Sequence, residues 1–282
     1  MQKIRILNLG AGVQSTTLAL MAMTGEIETF DYAVFADVQA EPKHVYIHLD
    51  WLIKEVDFPV LIRTKGSLID NLVNGADESG GRFSSIPAFA GDYKKPSGIV
   101  RRQCTKDYKV DVVERTIKRD ILNLEKFARI PKGVLINQSF GLSYDEVSRV
   151  LKVQKNFTKE QWTASFPLFD IEMTRSDCEK WLKDYGIPHT VPRSACTFCP
   201  YHSNAEWRRM KAEDPESWKQ AIEVDKLLRD SSSRCNQGLD LKLWLHRSCM
   251  PLDEIDFESN NKDLPGQTKL GFMSECEGMC GV

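Results

Sequence analysis

Long apolar runs are missing from this chain, which excludes a helix that crosses a bilayer. The opening residues Met1-Gln2-Lys3-Ile4-Arg5 lack the apolar centre of a secretory signal and enter a strand-like pattern, so a cytoplasmic location without membrane contact is expected. Excess charge is missing too. Lys and Arg number 38 against 40 Asp and Glu, a formal net charge of -2, so a nucleic-acid acceptor would need a local basic groove. No internal repeat or low-complexity tract occurs. Disulfide density is also absent: eight cysteines, at 104, 178, 196, 199, 235, 249, 276 and 280, are too dilute to staple a secreted domain. Metal or redox chemistry explains them better, with Cys178 and Cys235 read as structural for want of any ligand-like spacing.

What is present is an α/β pattern on 282 residues, 41% of them hydrophobic, enough to bury a substantial core. Ile4, Ile6, Leu7 and Leu9 form a strand that runs through Gly10, Ala11 and Gly12 into an apolar helix carrying Val13, Leu18, Leu20 and Met23. Small residues at that turn let backbone N–H groups approach a ligand, and the helix N-terminus adds unpaired donors and partial positive charge. Gln14, Ser15, Thr16 and Thr17 line the same turn. The pattern serves either a phosphate site or an ordinary tight strand-to-helix turn. A second strand over 32–37 ends in Asp37, which with Glu41 suits a ribose or a metal on phosphates, or else caps the helix expected over 44–56. A third strand is expected over 58–63. Alternation of strands and helices predicts an open, mostly parallel sheet flanked by helices.

From Lys65 to Gln103 glycine and proline break every period, and the segment reads as a functional lid, packed by Phe83, Phe89 and Tyr93, or as a flexible excursion. Arg101, Arg102, Lys106 and Lys109 then surround Cys104 at the start of a helix running to about Asp120. That setting suits a metal ligand or an anion site, or else a solvated basic helix start. A fourth strand over 133–138 leads to Gly141 and a helix with Asp145, Glu146 and Arg149. There Arg149 binds phosphates with Glu146 orienting it or binding metal, or Asp145 and Arg149 form a surface ion pair at i, i+4. Thr174 caps a helix that Gly186 and Pro188 stop. Cys196-Thr197-Phe198-Cys199-Pro200 is a turn spaced for one soft metal centre, with a catalytic dithiol or inert thiols as alternatives. Helices follow over 204–213 and 215–229, with Trp207 and Trp218 read as core. The last residues carry Cys276 and Cys280 and either return a thiol to the active site or fray. Two regions are expected: a nucleotide-binding α/β domain over 1–190 and a helical, cysteine-bearing C-terminal part over 191–282.

In this order the motifs resemble the PP-loop ATPase superfamily, in the branch of phosphoadenosine phosphosulfate reductases and the sulfur-inserting ATPase of DNA phosphorothioation systems. Gly10 to Ser15 stands where that family carries Ser-Gly-Gly-x-Asp-Ser, and Asp37 matches its acidic residue after the second strand. Arg102-x-Cys104-Thr105-x-x-x-Lys109 is similar to its Arg/Cys/Lys helix start, and Gly141-Leu142-x-x-Asp145-Glu146-x-x-Arg149 to its Gly-(Ile/Val)-Arg-x-x-Glu-Ser-x-x-Arg signature. Phe166-Pro167-Leu168, Thr174, Gly186-Ile187-Pro188 and the cysteine turn complete the order. Gln14 replaces the loop aspartate and Gly10 the leading serine, departures that bear on ATP cleavage more than on nucleotide binding.

The resemblance implies a Rossmann-like, adenine nucleotide alpha hydrolase-like fold that binds ATP or an adenylyl sulfonucleotide with Mg2+. Gly10, Ala11, Gly12, Val13, Gln14, Ser15, Thr16, Asp37, Lys109 and Gly141 are the implied nucleotide contacts. Glu146 and Arg149 join the chemistry, and Cys104, Cys196 and Cys199 are implied ligands of a 4Fe-4S cluster. ATP-dependent adenylylation coupled to sulfur transfer is the expected activity, supplied by a sulfur donor such as a cysteine desulfurase. One alternative is reduction of a sulfonucleotide by Cys276 or Cys280 with thioredoxin as reductant. A non-enzymatic, zinc-stapled module using Cys196, Cys199, His202 and Cys104 is the other.

Overall fold

Ile4 and Ile6 alternate with Leu7 and Leu9 along the first strand, so both of its faces are apolar; only a strand covered on both sides satisfies that pattern. In a computed structural model that describes residues 2–75, 86–100, 102–230 and 242–258, this strand, β1 (Gln2–Leu9), is the centre of a five-stranded sheet. The chain continues through α1 (Val13–Thr24), β2 (Tyr32–Asp37), α2 (Lys43–Glu55), β3 (Val60–Thr64), α3 (Leu68–Asn74), β4 (Phe89–Asp92) and β5 (Lys95–Ile99). Next come α4 (Asp111–Thr116), extended at each end by a wider turn so that the helix runs from Lys106 to Ile121, then β6 (Val134–Phe140), α5 (Val147–Asn156) and β7 (Trp162–Ser165). The rest is α6 (Pro167–Asp170), α7 (Arg175–Tyr185), α8 (Asn204–Glu213), α9 (Pro215–Arg229) and β8 (Leu243–Trp244).

The main sheet has the order β3-β2-β1-β6-β7, and every neighbouring pair is parallel. This is the open parallel sheet flanked by helices that the sequence predicts. Leu7, Leu9, Ala33 and Phe35 pack under α1, α2 and α7, while Ile4, Ile6, Val34 and Ile136 pack on the opposite face against Val113 and Ile117. Successive connections leave β1 in opposite directions, toward β2 and later toward β6, so the carboxyl ends of β1 and β6 flank a topological switch point where open α/β sheets hold ligands.

Several local expectations hold. The Thr174 hydroxyl accepts a hydrogen bond from the Asp177 N–H (3.2 Å) at the start of α7, and Gly186 closes the helix in the left-handed region (φ 89°) that favours glycine. Cys178 is fully buried beneath α1, and Trp207 is fully buried with Trp218 packed against the same cluster.

Other expectations need correction. The span 65–103 holds regular structure where it is described, against the broken periods of its sequence: α3 occupies part of it, and β4 and β5 form a hairpin that pairs with β8 in a second, antiparallel sheet. Phe83 lies outside the described residues. Phe89 is on β4, and Tyr93 is half exposed at the hairpin turn. β7, for which the sequence offered no expectation, forms where the buried Trp162 sets four residues beside β6.

One hydrophobic cluster crosses residue 190. It joins Val38, Leu68, Leu72, Ala88 and Tyr108 to Cys196, Trp207, Val224 and Leu245. Asp225 on α9 ties the last described segment down by accepting the Leu245 and Leu252 N–H groups (3.0 Å each), and burial raises its pKa. Cys235, Cys276 and Cys280, and with them the returning or frayed tail, lie outside the described residues.

Candidate nucleotide-binding site

The turn after β1 converges on a single oxygen. Ser15 Oγ accepts hydrogen bonds from the Gly10 N–H (3.2 Å) and the Gly12 N–H (3.3 Å) and donates to the Gly12 carbonyl (3.3 Å). Ala11 reaches this geometry in the left-handed region (φ 56°), which costs a residue with a Cβ more than it would cost glycine. Gly12 caps α1, and residues 10–16 are all buried. The two loop donors are thus held in one direction by a hydroxyl at the long end of the hydrogen-bond range, a position an anionic oxygen can take over. Ser15 was one of several hydroxyls at the turn in the sequence; here it organises the others.

A second wall comes from the loop after β6. A Cβ placed on Gly141 would lie 2.9 Å from the Ser15 backbone nitrogen and 3.2 Å from the Gln14 carbonyl carbon, so this loop rests directly on the first turn of α1. Behind it a buried polar network links both walls. Gln14 Nε2 donates to Glu146 Oε2 (2.9 Å) and Ser143 Oγ (3.2 Å), while Gln14 Oε1 accepts from Arg175 Nη1 (3.0 Å). Only this orientation of the amide suits both a carboxylate and a guanidinium. Glu146 Oε2 also accepts the Ser143 N–H (3.1 Å), and Glu146 Oε1 pairs with the Arg149 guanidinium. The reading in which Glu146 orients Arg149 therefore matches the geometry. The alternative Asp145–Arg149 pair does not form, since Asp145 Oδ1 instead accepts the Arg175 N–H (3.2 Å).

Asp37 stands at the carboxyl end of β2. Its Oδ1 accepts from the Gln39 N–H and the Tyr46 hydroxyl (2.8 Å each), and its Oδ2 has no partner among the described residues. The helix-cap alternative is corrected: α2 begins at a Pro42 cap without a side-chain bond, and Asp37 shapes the turn before it. Burial and the bond to Asp37 push the Tyr46 pKa well up. Between the ends of β1 and β2, Asn8, Leu9, Gly10, Val34, Phe35 and Ala36 line a narrow crevice closed by Lys109 and Val113. Lys109 is buried there with its Nζ 3.5 Å from Glu41 Oε1. Asn8 is buried as well; its Nδ2 donates to the Ser139 carbonyl (3.2 Å), and its Oδ1 has no partner among the described residues.

Three of the four cations expected around Cys104 are among the described residues. Arg102 lies over the Tyr201 ring (5.5 Å), Lys106 pairs with Asp111 (2.7 Å), Lys109 with Glu41, and Arg101 is outside the described residues. Cys196 and Cys199 sit in the cluster that Cys104 packs against. Their turn is bonded to the loop beyond β2 through the Thr197 N–H and the Ala40 carbonyl (2.9 Å). His202 Nε2 is bonded to the Cys196 carbonyl (2.9 Å), and burial near Arg193 lowers its pKa to about 3, so it serves the turn as a neutral donor. Among the described residues no three His, Cys, Asp or Glu side chains gather into a group that can hold a metal ion.

Four participants carried no motif in the sequence: Arg175, Tyr46, and the pair His48 and His189. His48 Nε2 meets Thr16 Oγ1 (2.9 Å), and its Nδ1 meets His189 Nε2 (2.8 Å), beside the Trp51 ring. Asn8 was different, because a polar residue near the end of a strand buried on both faces is itself a signal. Neither a scan against protein-family models nor a search of curated proteins matched this chain. Among the described residues no helix is long and apolar enough to cross a membrane.

Proposed function

We propose that the chain is a PP-loop-type, nucleotide-binding enzyme of sulfur metabolism that activates a substrate oxygen by adenylylation before sulfur transfer. The observation that carries the reading is the meeting of the β1–α1 turn with the β6–α5 loop at the switch point, with Gly141 against Ser15 and Arg149 held by Glu146. Phosphate oxygens would take the donors that Ser15 Oγ now engages, together with the first N–H groups of α1, while Arg149 neutralises charge. Asp37 fits Mg2+ or a ribose hydroxyl through its open Oδ2, and bound Mg2+ would screen the phosphate charge.

In the proposed reaction the substrate oxygen attacks the α-phosphorus of ATP, and pyrophosphate leaves with the electrons of the broken P–O bond. A sulfur nucleophile at the sulfide level then displaces AMP. The bond between Thr197 and Ala40 keeps the cysteine turn beside this crevice, which supports thiol involvement. A 4Fe-4S cluster on Cys104, Cys196 and Cys199 is carried by the sequence resemblance and the Cys196-x-x-Cys199 turn, while among the described residues no three such side chains form a metal-holding group.

Calorimetry with ATP and with adenylylsulfate, followed by pyrophosphate release in the presence of candidate acceptors, tests the assignment. ATP binding that weakens in Ser15→Ala is expected; absence of binding to either nucleotide overturns it. Tighter binding of adenylylsulfate, with sulfite formed on adding a thiol reductant, would transfer the assignment to sulfonucleotide reduction. Iron and sulfide analysis of anaerobically prepared protein tests the cluster separately, and colourless, iron-free protein excludes it.

A further inference from the structure

Helix α5 buries one side, through Val150 and Val153, and leaves an apolar stripe on the other. Tyr144, Val147 and Leu151 follow one another at helical spacing and are 42%, 46% and 52% exposed. The Tyr144 ring packs against Phe169 (5.3 Å between centroids), two residues before Ile171, itself 50% exposed. Other exposed apolar residues, such as Ile47, Ile62 and Phe127, stand on separate elements and need no explanation. Tyr144, Val147 and Leu151 together on one face do.

Charge around the stripe is divided. Asp145, Asp170 and Glu172 gather at the Tyr144 end, and Lys152 and Lys155 at the other; all are exposed, and none makes an ion pair among the described residues. From Tyr144 to Lys155 is about 16 Å at the helical rise. A surface with acid at one end, base at the other and an apolar centre is complementary to itself when turned end for end.

We infer that this face is an isologous interface at which a second copy of the chain packs its α5 antiparallel, Leu151 against Val147 and Tyr144, with each Lys155 near the partner's acidic end. Arg149 and Glu146 face the other way, into the buried network, so pairing leaves the candidate site uncovered.

Sedimentation velocity on the whole chain over a dilution series tests this. A dimer is expected at about 100 µM, far above a micromolar Kd. Leu151→Glu should give monomer at every concentration, and because the side chain is exposed its melting temperature should equal that of wild type diluted to the monomer. Lys155→Glu should weaken the dimer, and combination with Asp145→Lys should restore it. Monomeric wild-type protein overturns the inference and gives the patch to a different partner. A dimer indifferent to Leu151→Glu overturns it equally, by placing the interface elsewhere.

Discussion

Replacing Gly141 by alanine adds one methyl group where two backbones already touch. The new Cβ would stand 2.9 Å from the Ser15 nitrogen and 3.2 Å from both the Gln14 carbonyl carbon and the Ser15 Cα, none of which can rotate away. The β6–α5 loop and the first turn of α1 must therefore separate by several tenths of an ångström. Overpacking of this kind costs about 1–3 kcal/mol. For a chain of this size that lowers the melting temperature by roughly 3–10 °C. The same displacement moves the donors at the helix start away from any phosphate they hold, so ATP affinity should fall about tenfold, equivalent to ~1.4 kcal/mol. Gly98→Ala is the matched control: on the exposed edge strand β5 its Cβ would meet nothing within 4 Å, and neither melting nor binding should change. Thermal denaturation and calorimetry on the three proteins decide the matter. If Gly141→Ala melts and binds ATP like Gly98→Ala, the close approach of the two loops is wrong. If it melts early yet binds ATP normally, the loop contact is structural only and the phosphate site lies elsewhere.

Three further outcomes are expected. Gln14→Glu sets a carboxylate beside Glu146 in a buried network, raising carboxyl pKa values in the folded state. The variant should be less stable than wild type at neutral pH, by about 3 kcal/mol, with the gap narrowing on acidification as the folded protein takes up the proton first; a gap independent of pH in denaturant titrations would contradict this. Tyr46→Phe removes one of the two donors to Asp37 Oδ1 and should weaken ATP binding severalfold at a stability cost of about 1 kcal/mol; equal affinity would detach Asp37 from the nucleotide. Burial, with His189 alongside, lowers the His48 pKa from 6.5 to about 4, so the unfolded chain binds a proton in that window that the folded chain refuses. Stability from this residue is complete above pH 6.5 and declines as the pH falls toward 4, by up to about 3 kcal/mol, and His48→Gln should flatten the stability–pH curve there.

The central strands were legible because burial on both faces writes a run such as Ile4-Arg5-Ile6-Leu7-Asn8-Leu9, and α7, α8 and α9 because Thr174, Gly186 and Pro215 mark their ends. β4, β5 and β8 were not. Each is short, β5 is wholly exposed, and β8 pairs across more than 140 residues of sequence, so no local period announces the sheet. Site residues divide along the same line. Gly10, Asp37 and Arg149 follow strand ends, where position alone suggests a role, whereas Tyr46 and Arg175 reach the site from helices that are continuous in pattern.

Gln14 shows why a local motif can mislead even when it is found. Against the loop signature it is a departure, a neutral amide where an aspartate is expected. In the fold its two ends meet a carboxylate and a guanidinium, from Glu146 and Arg175, which are 132 and 161 residues away. An acid at position 14 would keep Arg175 as a partner but set a second carboxylate against Glu146; the amide satisfies both. An amide at position 14 is therefore explained by how the two walls of the crevice are joined, with Glu146 and Arg149 supplying the charges that the loop itself does not carry.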